Sequence, residues 1–352
     1  MSRRVAAGVI PLLGIAAAGL MLTPVVAEAR SMRSVLRWPG PGPQVRATGL
    51  SARETIEWNA GCEHCHESIA AEWRGSRHRA AYANESFQAA VAREPEGTRS
   101  FCVHCHAPES RARVEVDAAS ELGVACVTCH VPLGPVLAAE RDPARPAPHA
   151  TLASVDFRSA EACRGCHEFS FPKHRAADTL MQRTVSEHEE SGRDVSCAAC
   201  HMPTEGGHRS HAFRGGYDEP FVRSSVVVSA EHGSGAARLT LETKGVTHAV
   251  PTGDLFRRLA VEVVPIAGGE VRLPALTRYL ARHYEVRGGE RREIGDDRLH
   301  LGPRYVSFAL PPEAVGFEWR VRYERVGFHV GEREDGAAVE SAFEVASGVA
   351  RR

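Results

Sequence analysis

Lysine is nearly missing from this chain of 352 residues: 41 of its 43 basic residues are arginine, and only Lys173 and Lys244 are lysine. With 44 acidic residues the formal charge is -1, so there is no basic excess of the kind that grips a nucleic-acid backbone. Heptad repeats and low-complexity tracts are absent, which excludes a coiled coil and a disordered repeat array. Aromatics number only 22, and Met32, Met181 and Met202 are the only methionines after residue 29. No cysteine stands alone either.

All ten cysteines fall into five Cys-x-x-Cys pairs, each followed at once by histidine: Cys62/Cys65/His66, Cys102/Cys105/His106, Cys126/Cys129/His130, Cys163/Cys166/His167 and Cys197/Cys200/His201. Histidine makes up 18 of 352 residues, so five coincidences in the following position have odds below about one in a million. Zinc sites built from such halves need two halves per metal and have no use for the adjoining histidine. A disulfide framework fixes neither the spacing nor the histidine. The pattern that remains is covalent attachment of five c-type haems, with two thioethers per haem and the adjoining histidine as proximal iron ligand.

Arg3 and Arg4 precede an uncharged run from Val5 to Val26, and Ala27-Glu28-Ala29 supplies small residues for cleavage. Residues 1–29 therefore read as a signal peptide of the general secretory route, since haem attachment follows export of an unfolded chain. The expected location is the periplasm; an uncleaved membrane anchor, or an extracellular site, is the alternative. Residues 30–57 are basic and then rich in proline and glycine, and are expected to form a linker.

The expected fold class is α + β. A mostly helical and irregular haem-packed domain is expected over 58–213, at about 31 residues per motif. That is too little chain for a conventional core around each haem, so the haems themselves would be the core. Successive first cysteines are 40, 24, 37 and 34 residues apart, and the short step predicts that the second and third haems form an intimate pair. From 214 to 350 cysteine disappears and apolar residues alternate, as in Val226/Val228, Leu239/Leu241, Leu259/Val261/Val263, Val306/Phe308/Leu310 and Phe317/Trp319/Val321/Tyr323. This period of two predicts an antiparallel β-sandwich.

Thirteen histidines remain after the five proximal ones, so supply favours bis-histidine ligation, which lowers reduction potentials relative to methionine. The distal candidates are His78, beyond a helix carrying Ile69 and Trp73; His149, at the end of a strap with five prolines between 132 and 148; His211, with His208 as its rival; His248, on a β-domain turn; and His174. His188, on a stripe with Met181 and Val185, reads as a core histidine. His64 and His104 sit inside their motifs and point away from their own irons. His232, His283, His300 and His329 read as surface or sandwich residues. The arginine bias also suits guanidinium clamps on haem propionates. Loss of the leader and addition of five haems brings the charge to roughly -7, a match for a basic face on a redox partner.

The sequence resembles the multihaem cytochromes with a cytochrome c-552/554-type domain. The resemblance rests on Gly61-Cys62-Glu63-His64-Cys65-His66 with Trp73-Arg74-Gly75-Ser76-Arg77-His78, on Cys102 to Pro108, and on Gly123 to His130. Cys197 to Pro203, His211-Ala212-Phe213 and His248 to Gly253 look like segments of related proteins with a C-terminal β-domain. The resemblance spans about residues 59–260. It implies periplasmic electron transfer, haems stacked in close parallel and perpendicular pairs, and His78 as a distal ligand. His188 departs from it, standing where an aromatic is expected.

The leading expectation is an electron carrier, not an enzyme, passing single electrons from a periplasmic or membrane donor to a terminal reductase. The alternative is a reductase of nitrite, hydroxylamine or a sulfur oxyanion with one open haem. Pentahaem nitrite reductases attach the catalytic haem through a lysine-bearing motif, whereas all five motifs here end in histidine. A third role is self-association, or docking on a partner, through the β-domain.

Overall fold

The computed structural model describes residues 48–94, 96–110, 118–132, 134–140, 148–171, 180–287, 290–327 and 337–352. The leader at 1–29, most of the linker, His174 and His329 lie outside them.

Every Cys-x-x-Cys-His motif sits at the C-terminal end of a short helix: Ala52–Cys65, Glu96–His106, Cys126–His130, Glu161–His167 and Cys197–His201. Helical spacing puts positions i, i+3 and i+4 on one face, so both sulfurs and the imidazole of a motif emerge on the same side. The first of these helices begins inside the stretch expected to be a linker. Ser51 caps it, accepting from the Glu54 amide while the Glu54 carboxylate accepts from the Ser51 amide. This reciprocal cap outweighs the loop-like composition just before it. Ser196 caps Cys197–His201 in the same manner, through the Ala199 amide.

Helix Glu67–Arg74 locks the first motif to the third. The Trp73 indole N–H donates to the Val124 carbonyl at 2.9 Å, and the Val124 amide donates to the His78 carbonyl at 2.9 Å. Gly123, at φ 61°, is required here: a Cβ would collide with the carbonyl oxygens of His78 and Arg79.

After helix Glu219–Ser224 the chain is β-rich. Arg257–Ala267 lies between Ala314–Val326 and Leu276–Leu280, and Ala314–Val326 pairs in turn with Val339–Arg351, all antiparallel. A second antiparallel sheet has Ala236–Thr243 between Val226–Gly233 and Arg304–Ala309, and its hairpin turns on Ser234 and Gly235, both at positive φ. Leu239, Leu241 and Val306 from one sheet and Leu259, Val261, Phe317 and Val321 from the other share one core, as the alternation predicts. The chain is thus an α + β mixture. Among the described residues no helix is long and apolar enough to cross a membrane.

Candidate metal centres

The motif helices enclose a cavity of about 3070 Å³, walled by the cysteines of the first four motifs and by His66, His106, His130 and His167. Ordinary small-molecule sites measure about 300–1,000 Å³. The fifth motif touches the same cavity through Ser196, Ala198 and Met202.

Cys200 differs in its place from the cysteines of the first four motifs. It is exposed, and neither it nor Cys197 lines the cavity. Cys65 and Cys129 are exposed as well, yet both stand in the cavity wall. The difference lies in helix Cys197–His201, which has only five residues and meets the cavity through Ala198. Cys197 on this helix stands against Cys163 of the cavity wall, so the fifth motif adjoins the cavity of the other four.

Sulfur contacts link the motifs. The Cys62 thiol is hydrogen-bonded to Cys126, Cys163 to Cys197, and Cys105 to Cys166. Cys126 pulls the Cys62 thiol down to about 7. The second motif therefore meets the fourth through its sulfur.

Four motif histidines each face another histidine ring. His66 and His149 have ring centres 6.4 Å apart, His167 and His78 6.5 Å, His130 and His211 6.2 Å, and His201 and His248 6.1 Å. Two imidazoles on one iron would stand about 6.2 Å apart, from about 2 Å per iron–nitrogen bond plus about 1.1 Å from nitrogen to ring centre. The spacing fits a shared iron in all four cases.

Tautomers fit as well. Nδ1–H of His106, His130, His201, His211 and His248 donates to the carbonyls of Ala81, Leu137, Arg214, Arg209 and Ala249, at 2.5 to 2.9 Å. Nε2 is left for a metal. Burial pushes His78 down to about 3 and His167 to about 4, and lowers His106, His130, His211 and His248, keeping these rings neutral as ligation requires.

His106 is the exception. Phe87 stacks on it at 3.7 Å, and among the described residues no histidine ring faces it across a gap of this size. The other histidines have different tasks. His208 Nε2 meets Glu72 at 3.0 Å, and the same carboxylate accepts from the His211 amide at 2.7 Å. The ring of His188 binds the Thr247 hydroxyl at 2.8 Å, beside His248. His64 is exposed, and His104 turns to the Ser100 carbonyl. His232 stacks on Phe317, while His283 and His300 pair with Asp297 and Asp296.

Three acid or amide groups escape sequence reasoning. Asn59 accepts from the Cys126 amide at 2.9 Å, tying the first motif helix to the third. Glu72 fixes the His211 segment. Glu187 accepts from the Ala249 amide at 3.2 Å and the Thr252 hydroxyl at 2.7 Å, and is itself paired with Arg298 at 2.5 Å. Only Glu72 left a signal, as the immediate neighbour of Trp73 in the segment running to His78.

Residues 61–131 match the family described as cytochrome c554 and c-prime. A penta-heme cytochrome c552 from Thermochromatium tepidum superimposes with a TM-score of 0.65 over 87% of this chain and 99% of its own, at 19% sequence identity, so the two share a fold. Over residues 61–131 the chain is similar to c-type cytochromes, and its fold is that of a penta-heme cytochrome. MtrC from Shewanella baltica OS185 aligns over 71% of this chain and 44% of its own, at 13% identity and a TM-score of 0.18. No curated protein matches in sequence.

Haem c fits the residues present. The cavity brings cysteine pairs and neutral imidazoles to one space, and the buried Nδ1 of the His78 ring has no hydrogen-bond partner. Bound haem would supply one-electron iron chemistry, the basis of electron transfer or redox work.

Proposed function

We propose that this protein is a periplasmic electron carrier with five covalently attached haems, moving single electrons between a membrane or periplasmic donor and a terminal reductase. Cys62/Cys65, Cys102/Cys105, Cys126/Cys129, Cys163/Cys166 and Cys197/Cys200 attach the haems, with His66, His106, His130, His167 and His201 as proximal ligands. His149, His211, His78 and His248 are the distal ligands of the first, third, fourth and fifth. The observation that carries the reading is the set of four imidazole pairs at 6.1–6.5 Å within one series of touching motifs. Bis-histidine irons keep their ligands in both oxidation states, which suits transfer and leaves no coordination position for substrate. The β-rich region from 214 to 350 is read as a sandwich whose contribution is His248, in preference to partner docking.

A second reading, a reductase with one open haem, is favoured by His106, whose ring faces no histidine among the described residues. His174 is the remaining candidate to cap that iron. Low-temperature EPR of the oxidised holoprotein tests both: five low-spin signals support the carrier and sink the enzyme. One high-spin signal that responds to nitrite or hydroxylamine, abolished on replacing Cys102 and Cys105, supports the enzyme at the second site.

A further inference from the structure

Where the β-rich region meets the second motif, three guanidinium groups converge. Arg77 lies 3.7 Å above the Tyr217 ring, with Arg257 5.3 Å from the same ring. Arg325 donates to Asp254 at 3.3 Å and to Glu340 at 3.1 Å, and Arg257 donates to the Tyr323 hydroxyl at 3.2 Å. Asp254 and Arg257 lie deep in the molecule, yet 20% and 18% of their side-chain surfaces stay open. Both line the cavity, together with Arg325, Tyr217, Gln182 and His106.

The hydrogen bonding of this cluster is incomplete on the cavity side. Arg257 Nε is buried without an acceptor, standing 3.6 Å from Asp254 Oδ2, and Gln182 Oε1 is buried without a donor. A buried guanidinium N–H without an acceptor is costly. The cluster carries three cations against Asp254 inside and Glu340 at its edge, leaving positive charge toward the cavity. Gly216 keeps the space open, since a Cβ there would collide with Arg257 and the Tyr323 hydroxyl.

We propose that Arg257 and Arg325 form an anion receptor in the wall of the second haem site, taking one carboxylate or small oxyanion in a fork of guanidinium donors. The inference rests on haem attachment at Cys102 and Cys105, and it holds whether that iron is capped or open. The anion has two sources of shared chemistry: a propionate pendant from the haem, or a free oxyanion.

The test uses the oxidised holoprotein and its Arg257→Gln, Arg257→Lys and Arg325→Gln variants, each first shown to carry the parent's haem content. Haem content is read separately, so failure of the five-haem reading is distinguishable from failure of the receptor. Sodium nitrite is titrated against sodium chloride at equal ionic strength, and haem potentials are read by spectroelectrochemistry. A saturable nitrite difference spectrum, weakened at least tenfold in Arg257→Gln, identifies a free oxyanion. No nitrite response, with one haem's reduction equilibrium shifted about tenfold toward the ferric form (about 59 mV) in Arg257→Gln and partly restored in Arg257→Lys, identifies a propionate. A nitrite response unchanged in both glutamine variants, or no response and unshifted potentials, overturns the proposal. If Arg257→Gln does not accumulate with its haems, Arg325→Gln gives the same reading.

Discussion

Replacing Arg298 with methionine isolates what holds His248 over the fifth motif. The Arg298 and Glu187 side chains are 3% and 2% exposed. Arg298 donates to Glu187 at 2.5 Å, to the Pro251 carbonyl at 3.0 Å and to Asp296 at 2.7 Å. Despite burial, Asp296 and Glu187 hold the guanidinium above its ordinary value. Glu187 in turn grips both ends of the Ala249–Thr252 segment that follows His248. Arg298→Met keeps most of the side-chain volume and leaves the buried Glu187 carboxylate facing Arg183 at 3.6 Å in place of the shorter pair. Breaking one side of such a pair costs about 3–5 kcal/mol. At about 1.36 kcal/mol per factor of ten, the docked loop loses a factor of about a hundred to a few thousand against its undocked form.

The holoprotein variant is therefore expected to melt at least about 6 °C lower, and its EPR spectrum to gain a high-spin component worth one haem. Glu187→Leu combined with Arg298→Met removes both charges and should recover part of the loss, because no unpaired ion stays buried. A melting temperature within about 1 °C of the parent, with unchanged EPR, would refute the brace as the support of His248.

Other substitutions probe separate links. Gly123→Ala forces a Cβ into the His78 and Arg79 carbonyls at φ 61°, and should cost about 2–4 kcal/mol in thermal or denaturant unfolding while disturbing the third and fourth haem spectra together. His149→Ala should convert one low-spin haem to high-spin and raise its potential, leaving the fifth haem's signal intact; an unaltered EPR spectrum would remove His149 from the ligand set. Burial would raise the Asp254 carboxyl, but Arg257 and Arg325 outweigh it and hold the group below 3.8. Its stabilisation is therefore fully present above pH 3.8 and lost as pH falls below that value. Asp254→Asn should melt below the parent at pH 7, with the gap closing under pH 3.8; a gap independent of pH contradicts this.

What could be read in advance was what repeats or alternates locally. The five motifs announced haem c, and Leu259/Val261/Val263 against Phe317/Trp319/Val321 announced paired strands because each strand has one buried face. The motifs could not announce how deep each would lie, and Cys200 at the surface looks in sequence like any of the other nine. Val339–Arg351 escaped notice because it is the last strand of its sheet and, of its thirteen residues, only Val345 is buried. Arg282–Arg287 and Glu290–Asp296 escaped because charged residues break up the apolar alternation in both. His78, His149, His211 and His248 stood out through local context, and their rings are the four that face motif histidines. Their partners could not be read, because His66 with His149 and His167 with His78 close loops of more than eighty residues. The pair Glu187 and Arg298, 111 residues apart, is invisible to any local pattern.

The distribution of these long-range ties bears on the purpose of the β-rich region. A module for docking alone needs only a surface, and its junction with the haem-bearing part could be a hinge. Here the junction is built of buried groups: Arg298 on Glu187, Arg282 on the Leu180 and Met181 carbonyls, and a core of Phe171, Leu255 and Tyr284. The loop that carries His248 hangs from that junction. An iron shared by His201 and His248 would have its two imidazoles held by different regions, so the rigidity of this junction would fix their spacing. Buried ion pairs contribute little net stability compared with apolar packing, and their value is in fixing one arrangement. Such a junction makes mechanical sense if the β-rich region is part of the haem-binding structure itself.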